Sequence, residues 1–324
     1  MRDFALSRRH LLQGGAAVAA AGLSVPAFAK APMLGTQAPY FYRFKFGNAE
    51  ATIVSDGPLP LGDPSTAFLG LTKDEIARQL SSNYLPLENA VLEQNALIVN
   101  TGDKLVLLDT GMGASKMFGT TTGRLLGNIR AAGIDPKDID AVALTHAHPD
   151  HCWGLVNAAG ERNFPNAQIY MTQSDLEFWT DEGKKSIPML GDMIDPTRAA
   201  LLPNRDRIMF IKDGEEFLPG IQALAAPGHT VGHTVFMITS QGKTLCNSAD
   251  IAHHRVLIVE NPRIEFAFDT DPKQGVATRI RVLDMLAAQR IPLLAYHFPW
   301  PGVGYVAKRG DSYRFFASNI QTAL

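Results

Sequence analysis

The sequence predicts an α/β (α+β) chain in which two sheets pack face to face with helices on the outside. Strand-length apolar segments fall into two groups, one in each half, and each group is followed by helical segments. No repeat of roughly 20–50 residues and no low-complexity linker separates the halves, so they read as one domain rather than two. The 324 residues are 46% hydrophobic and 19% charged, ordinary globular composition. A chain of this length buries a sizeable core without disulfide or metal staples.

The elements follow in order. Residues 30–39 hold Pro and Gly without periodicity and read as a loose leader before a domain spanning 40–324. Tyr40 to Phe46 and Ala51 to Ser55 are strands separated by Gly47-Asn48, and residues 57–70 read as a Pro/Gly-rich loop. Thr72-Lys73-Asp74-Glu75 is a capping box that opens a helix to Leu80. Ala96–Asn100 and Leu105–Leu108 flank Thr101-Gly102-Asp103-Lys104 as a hairpin. A glycine-punctuated loop leads to a helix from Arg124 that Gly133 ends. Ala141–Leu144 is a short strand running into Thr145-His146, and Gln168–Met171 is another, with Ser174 capping a short helix. Residues 181–207 read as a helical excursion over the surface. Ile221–Ala225, Val235–Ile238 and Thr244–Asn247 are strands. Asp271-Pro272 opens a helix to Gln289 whose inward face carries Val276, Ile280, Leu283 and Leu286 or Ala287. Leu293–Ala295 is a last core strand before His297.

Residues 1–29 read as an address. Ser7-Arg8-Arg9-His10-Leu11-Leu12 precedes an Ala/Gly-rich run to Val25, and Ala27-Phe28-Ala29 fits signal cleavage. The arginine pair resembles a twin-arginine export signal, which places the mature protein in a bacterial periplasm; an N-terminal anchor is the alternative. Beyond residue 29 no apolar run approaches the roughly 18–20 residues of a membrane span. Thirty basic against 32 acidic residues, without blocks of like charge, leave no nucleic-acid footprint. Two cysteines, Cys152 and Cys246, exclude a disulfide scaffold; they are either one pair or two separate buried thiols.

The chemistry lies in the histidines. His146-Ala147-His148-Pro149-Asp150-His151 packs three imidazoles and a carboxylate into six residues after an apolar strand. Residues two apart share a face of extended chain, so His146 and His148 aim together. Asp150 and His151, in the following turn, face a second centre. His229, Asp250 and His297 each follow a strand. Five histidines and two aspartates exceed one tetrahedral site and suit two divalent ions sharing a bridge.

His146-x-His148-x-Asp150-His151 with His229, Asp250 and His297 in order resembles the metallo-β-lactamase superfamily across the mature chain. The resemblance implies an αβ/βα sandwich of two mixed sheets with a dinuclear site at one edge. It assigns His146, His148 and His229 to one metal, Asp150, His151 and His297 to the other, and Asp250 to both. It places Asp109, in Leu108-Asp109-Thr110-Gly111, behind the site as a support, and His233 as a packing or supporting group. Val99 to Gly111, Phe118-Gly119, Gly123-Arg124-Leu125 and Gly228-His229-Thr230-Val231-Gly232-His233-Thr234 are similar to the methyl parathion hydrolase and lactonase-like branch. A homodimer is implied as well.

Two such ions, most simply zinc, with manganese, cobalt or iron as alternatives, would make hydroxide available near pH 7. With Asp150 and Asp250 holding the ions, that hydroxide attacks an electrophilic carbonyl or phosphorus. The expected substrate is a small lactone or aryl ester, with phosphotriester hydrolysis of the methyl parathion type as a related activity. A β-lactam hydrolase is an alternative, although a bridging Asp250 belongs to other branches; a non-catalytic periplasmic zinc-binding protein is another. Phe118, Trp179 and Met193 are placed in the substrate pocket, against the alternative of ordinary packing. His253 and His254 either reach the pocket as hydrogen-bond donors or proton carriers, or form a solvated pair on a loop.

Overall fold

The computed structural model describes Met33, Gly35 and residues 38–323. Backbone contacts divide the chain into two units, Met1–Ala38 and Pro39–Leu324, and the second is described below. The export signal expected in residues 1–29 lies outside the described residues.

Two seven-stranded sheets carry the fold, and each is wound in chain order. The first comprises β1 (Phe41–Phe46), β2 (Ala49–Ser55), β3 (Asn95–Asn100), β4 (Leu105–Leu108), β5 (Ala141–Ala143), β6 (Gln168–Met171) and β7 (Ile208–Phe210). Pairing is antiparallel from β1 to β4 and parallel from β4 to β7. The second comprises β8 (Glu216–Leu218), β9 (Ile221–Ala225), β10 (Thr234–Ser240), β11 (Lys243–Ala249), β12 (Leu293–Ala295), β13 (Val303–Arg309) and β14 (Ser312–Ala317). Only β11 and β12 are parallel there.

Alternation along β3 shows how the layers form. Leu97 and Val99 point between the sheets, where they meet Phe236, Ile238, Leu245 and Leu294. Ala96 and Ile98 point outward, into a layer with Leu125, Ile129, Leu176, Trp179 and Ile194. Both faces are buried, so the strand reads as a continuous apolar run. The outer layer of the first sheet contains α2 (Leu125–Ala131), α3 (Pro149–Cys152), α4 (Gln173–Thr180) and α5 (Gly191–Leu201). The second sheet is covered by α1 (Lys73–Ser82) and α6 (Pro272–Gln289), through Ile76, Leu80, Val282, Leu283 and Leu286. The fold is the αβ/βα sandwich, two mixed sheets with helices outside.

Thr72 caps α1 in a full capping box, and Gly133, at φ +84°, follows α2. Four expectations are corrected. Thr172, not Ser174, caps α4. The stretch 57–70 is not a plain loop: Leu59–Gly62 pairs with Ala90–Leu92, and Phe68–Leu69 with Glu265–Phe266. The buried face of α6 is Gly275, Thr278, Arg279, Val282, Leu283 and Leu286, turned about one residue from the expected stripe; Val276 and Ile280 are half-buried flanks. The β13–β14 hairpin extends the second sheet after His297. Cys152 and Cys246 are both buried and free. No helix among the described residues is long and apolar enough to cross a membrane.

Candidate metal centre

Strand register brings the chemistry to one end of the sandwich. Leu108 of β4 lies beside Ala143 of β5, so Asp109 and the 145–151 segment emerge together. Ala225 of β9 faces Thr234 of β10, which puts the 226–233 loop at one sheet edge, and Ala249 lies beside Ala295, so Asp250 and His297 leave in parallel. Cross-sheet bonds join these ends: Thr234 N–H to the Thr145 carbonyl at 2.9 Å, Asn95 N–H to that of Tyr296 at 2.8 Å, and Tyr296 O–H to that of Asp150 at 2.6 Å. Asp109 and Ala249 adopt the left-handed region, at φ 66° and 43°. Non-glycine residues enter it at an energetic cost, and here it turns two strand ends toward the site.

Buried carboxylates shape the loops. Asp109 accepts the Thr145 N–H at 2.8 Å and lies 2.9 Å from His151 Nδ1. Asp175, at the start of α4, accepts N–H groups of Ala147 and Gly232 and the Thr230 hydroxyl, at 2.8, 2.7 and 3.0 Å. It thereby joins the 145–151 segment to the 227–233 loop. Gly228, at φ +128°, lets that loop lie against α6: a Cβ there would sit 2.2 Å from the Gly275 nitrogen.

Three groups of side chains offer ligand atoms within 4.8 Å of one another: His146, His148, His229 and Asp250; Asp150, His151 and His297; and Asp250, His253 and His297. Asp250 Oδ2 is the hub, 3.1 Å from Nε2 of His253 and of His297, 3.2 Å from that of His229 and 3.3 Å from that of His151. His151 Nε2, Asp150 Oδ2 and Asp250 Oδ1 are buried without a hydrogen-bond partner among the described residues, and His148 Nδ1 converges with His146 Nε2 at 3.1 Å and His229 Nε2 at 2.8 Å. Orphaned buried polar atoms are costly, and convergent imidazole and carboxylate atoms are the donor set of a divalent ion. The residues therefore fit the metals expected of them.

Burial, with the nearby His151, holds His146 well below the ordinary imidazole range; burial and His229 do the same to His148. His151 goes the other way: burial opposes its charge, but Asp250, Asp150 and Asp109 together raise it well above that range. Burial is likewise overcome at His229, where bonds to Asp250 and Asp269 raise the pKa to about 9. Metal must displace these protons, so binding is coupled to pH.

Asp109 supports His151 from behind. His233 holds the loop: its Nδ1 lies 3.0 Å from the Ala226 carbonyl oxygen and its Nε2 accepts the Asp250 N–H at 3.2 Å. One neutral tautomer satisfies both bonds, and burial, with His229 nearby, pulls its pKa down to about 3. Phe118, Met193 and His253 line the pocket over the cluster, with Leu59, Leu61, Phe266 and Phe268. Two expectations are corrected. Trp179 does not line it; fully buried in the core, its ring meets that of His148 edge-on with centroids 4.9 Å apart. His254 points away, against Phe68, and its Nδ1 accepts the N–H groups of Val256 and Leu257. Replacing Trp179 with alanine should lower unfolding stability by about 3–5 kcal/mol, the cost of an aromatic-sized cavity. Chemical denaturation of the metal-free protein measures this, and a loss under about 1 kcal/mol would contradict the packing role.

Sequence reasoning missed Leu59, Leu61 and Phe266 because their ribbons are short, Phe268 because it lies in the turn that follows, and Asp175 and Asp269 because an isolated acidic residue carries no local pattern.

The family model for the metallo-beta-lactamase superfamily matches residues 90–309. An N-acyl homoserine lactonase from a Bacillus species is 25% identical over 179 residues, covering 50% of this chain and 64% of that protein, so the chain spans under two thirds of that relative's length. Among solved structures, AidC, a dizinc quorum-quenching lactonase in complex with a product, superposes with a TM-score of 0.82 at 28% identity, over 87% of this chain and 99% of that one. The hydrolase AbOPH, of the beta-lactamase superfamily, gives 0.82 at 27%, over 88% and 100%.

Proposed function

The chain belongs to the metallo-β-lactamase superfamily, and we propose that it is a metal-dependent hydrolase that opens small, uncharged lactones and related aryl esters at a two-metal centre. The observation that carries this reading is the juxtaposition of the Asp250-centred ligand cluster with an apolar pocket. Six of the residues lining it are Leu59, Leu61, Phe118, Met193, Phe266 and Phe268, and its described lining holds no lysine or arginine. Such walls accept a neutral ring or short chain and disfavour an anionic substrate.

In this reading His146, His148 and His229 would hold one ion, Asp150, His151 and His297 the other, and Asp250 would serve both. Divalent ions held there supply Lewis acidity and make hydroxide available near neutral pH. The chain's own part is orientation and exclusion of water. Asp109 fixes the ring of His151 through Nδ1, as the Glu93 carbonyl oxygen, 2.8 Å from Nδ1, does for His297. The aromatic walls hold the substrate and shield the reacting bond. His253, with its ring stacked on Phe266 at 3.8 Å between centroids, presents a hydrogen-bonding group to the departing oxygen. Lactonase relatives at 25–28% identity support the substrate class.

The test is the ratio of kcat/KM for an aryl lactone to that for a dimethyl aryl phosphotriester on one zinc-loaded preparation, with His146→Ala as blank. A ratio far above one is expected and makes phosphotriester turnover incidental. A ratio at or below one overturns the lactone reading in favour of phosphotriesters.

A further inference from the structure

We propose that Asp269 and Arg279 form a positioning pair that fixes His229, and with it one of the two metal positions; this rests on the two-metal reading above. His229 Nδ1 lies 2.7 Å from Asp269 Oδ1, and both side chains are buried. Imidazole Nδ1–H donating to a carboxylate sets the tautomer, so Nε2 carries the free lone pair, and that nitrogen is the one directed at Asp250. The arrangement repeats, at a second sheet, the one between Asp109 and His151. Each of the two ligand groups thus contains one histidine whose far nitrogen meets a buried carboxylate.

Arg279 explains how Asp269 stays in place. It lies on the buried face of α6 and is 1% exposed, where hydrophobic patterning calls for an apolar residue. Its Nε donates to the Ile251 carbonyl at 3.0 Å, and one terminal nitrogen donates to those of Pro262 and Ile264 at 3.0 and 2.7 Å. The other lies 3.8 Å from Asp269 Oδ2, an oxygen that otherwise lacks a partner among the described residues. A rigid five-donor fork suits this task, whereas a lysine offers three donors from a single nitrogen. The acceptors span the segment that leaves Asp250, carries His253 and returns at Phe266 to the pocket wall. The backbone docks in the same place: Thr270 and Asp271 N–H groups donate to the carbonyls of His229 and Gly228, each at 2.9 Å, and Thr278 Oγ1 donates to that of Pro227 at 2.6 Å. One helix therefore references both the His229 loop and the Asp250 segment to the second sheet.

Zinc binding by the metal-free protein tests this, read by competition with a chromogenic chelator and independently of turnover. Asp269→Asn keeps the shape and removes the charge. It should weaken one of the two zinc-binding steps by about 10–100-fold and leave the other near wild type. Asp109→Asn should weaken the opposite step. Arg279→Lys should give a smaller loss at the step affected by Asp269→Asn, and serves in its place if that variant does not fold. Wild-type affinity at both steps in a folded Asp269→Asn protein, or equal losses at both, would overturn the proposal. If the wild type itself took up fewer than two zinc ions, the two-metal reading would fall instead.

Discussion

Exchanging Asp250 for asparagine is expected to lower turnover at least about a thousandfold and to cost the protein part of its bound metal. Lewis-acid stabilisation by bound ions contributes several kcal/mol, and each ~1.4 kcal/mol is a factor of ten. Asp250 is the residue whose loss should forfeit most of that, because Oδ2 lies within 3.3 Å of imidazole nitrogens from both ligand groups, His229 of one and His151 and His297 of the other. Asparagine fills the same space but brings no charge to hold two cations together. A second signature is expected in the metal-free protein. Burial opposes the Asp250 charge, but His151, His297 and His253 outweigh it and hold the carboxyl well below its ordinary 3.8. The folded chain therefore binds that proton more weakly than the unfolded chain. Its contribution is fully present above about pH 4 and disappears as pH falls through the lower folded value. Asp250→Asn should flatten the acid limb of stability against pH while lowering the plateau. Metal analysis, kcat and urea unfolding across pH 2–7 measure the three effects. Full metal content with near-normal turnover would refute the bridging role.

What could be read from the sequence was what local spacing encodes. β3 and β12 are continuous apolar runs because both of their faces are covered, and the capping box at Thr72 and the Asp271-Pro272 start of α6 are contiguous signals. The 146–151 cluster was legible for the same reason: four ionisable residues in six positions have few structural explanations. His229, Asp250 and His297 followed from their places after strands.

The unread parts depend on partners distant in the chain. Leu59–Gly62 contains Pro60 and Gly62, which signal a loop, and becomes a strand only through pairing about thirty residues on. Arg279 displaced the expected face of α6, since periodicity places a charged residue outside unless its acceptors are known. Trp179, as a large aromatic, suggested a pocket wall, yet β6 delivers α4 to the core layer, and the ring packs behind His148. Breaches of local patterning of this kind fall where a site needs support.

His253 should matter in proportion to how poor the leaving group is. Among the polar residues lining the pocket, His148, Asp150, His229 and Asp250 are assigned to metal, which leaves His253. Burial, opposed by Asp250, holds its imidazole well below the ordinary range, so the ring is neutral at pH 7 and carries one N–H. Its Nε2, 3.1 Å from the Asp250 carboxylate oxygen Oδ2, carries that N–H and directs it into the cluster, where Asp250 and the departing oxygen share it, while Nδ1 is buried, unprotonated and without a partner among the described residues. Opening an alkyl lactone concentrates negative charge on an alkoxide. An N–H aimed at that oxygen is worth roughly a hundred- to a thousandfold, by analogy with oxyanion donors. A nitrophenoxide spreads its charge into the ring and needs the donor far less. His253→Ala should therefore cost about a hundredfold or more in kcat on an alkyl lactone, and only a few-fold on a nitrophenyl ester or phosphotriester. His253→Gln, which keeps an N–H, should recover part of the lactone loss. Zinc affinity separates this from the other role that the Asp250, His253 and His297 grouping allows. If His253 were a ligand, His253→Ala would weaken zinc binding and slow every substrate alike, and that pattern would defeat the leaving-group assignment.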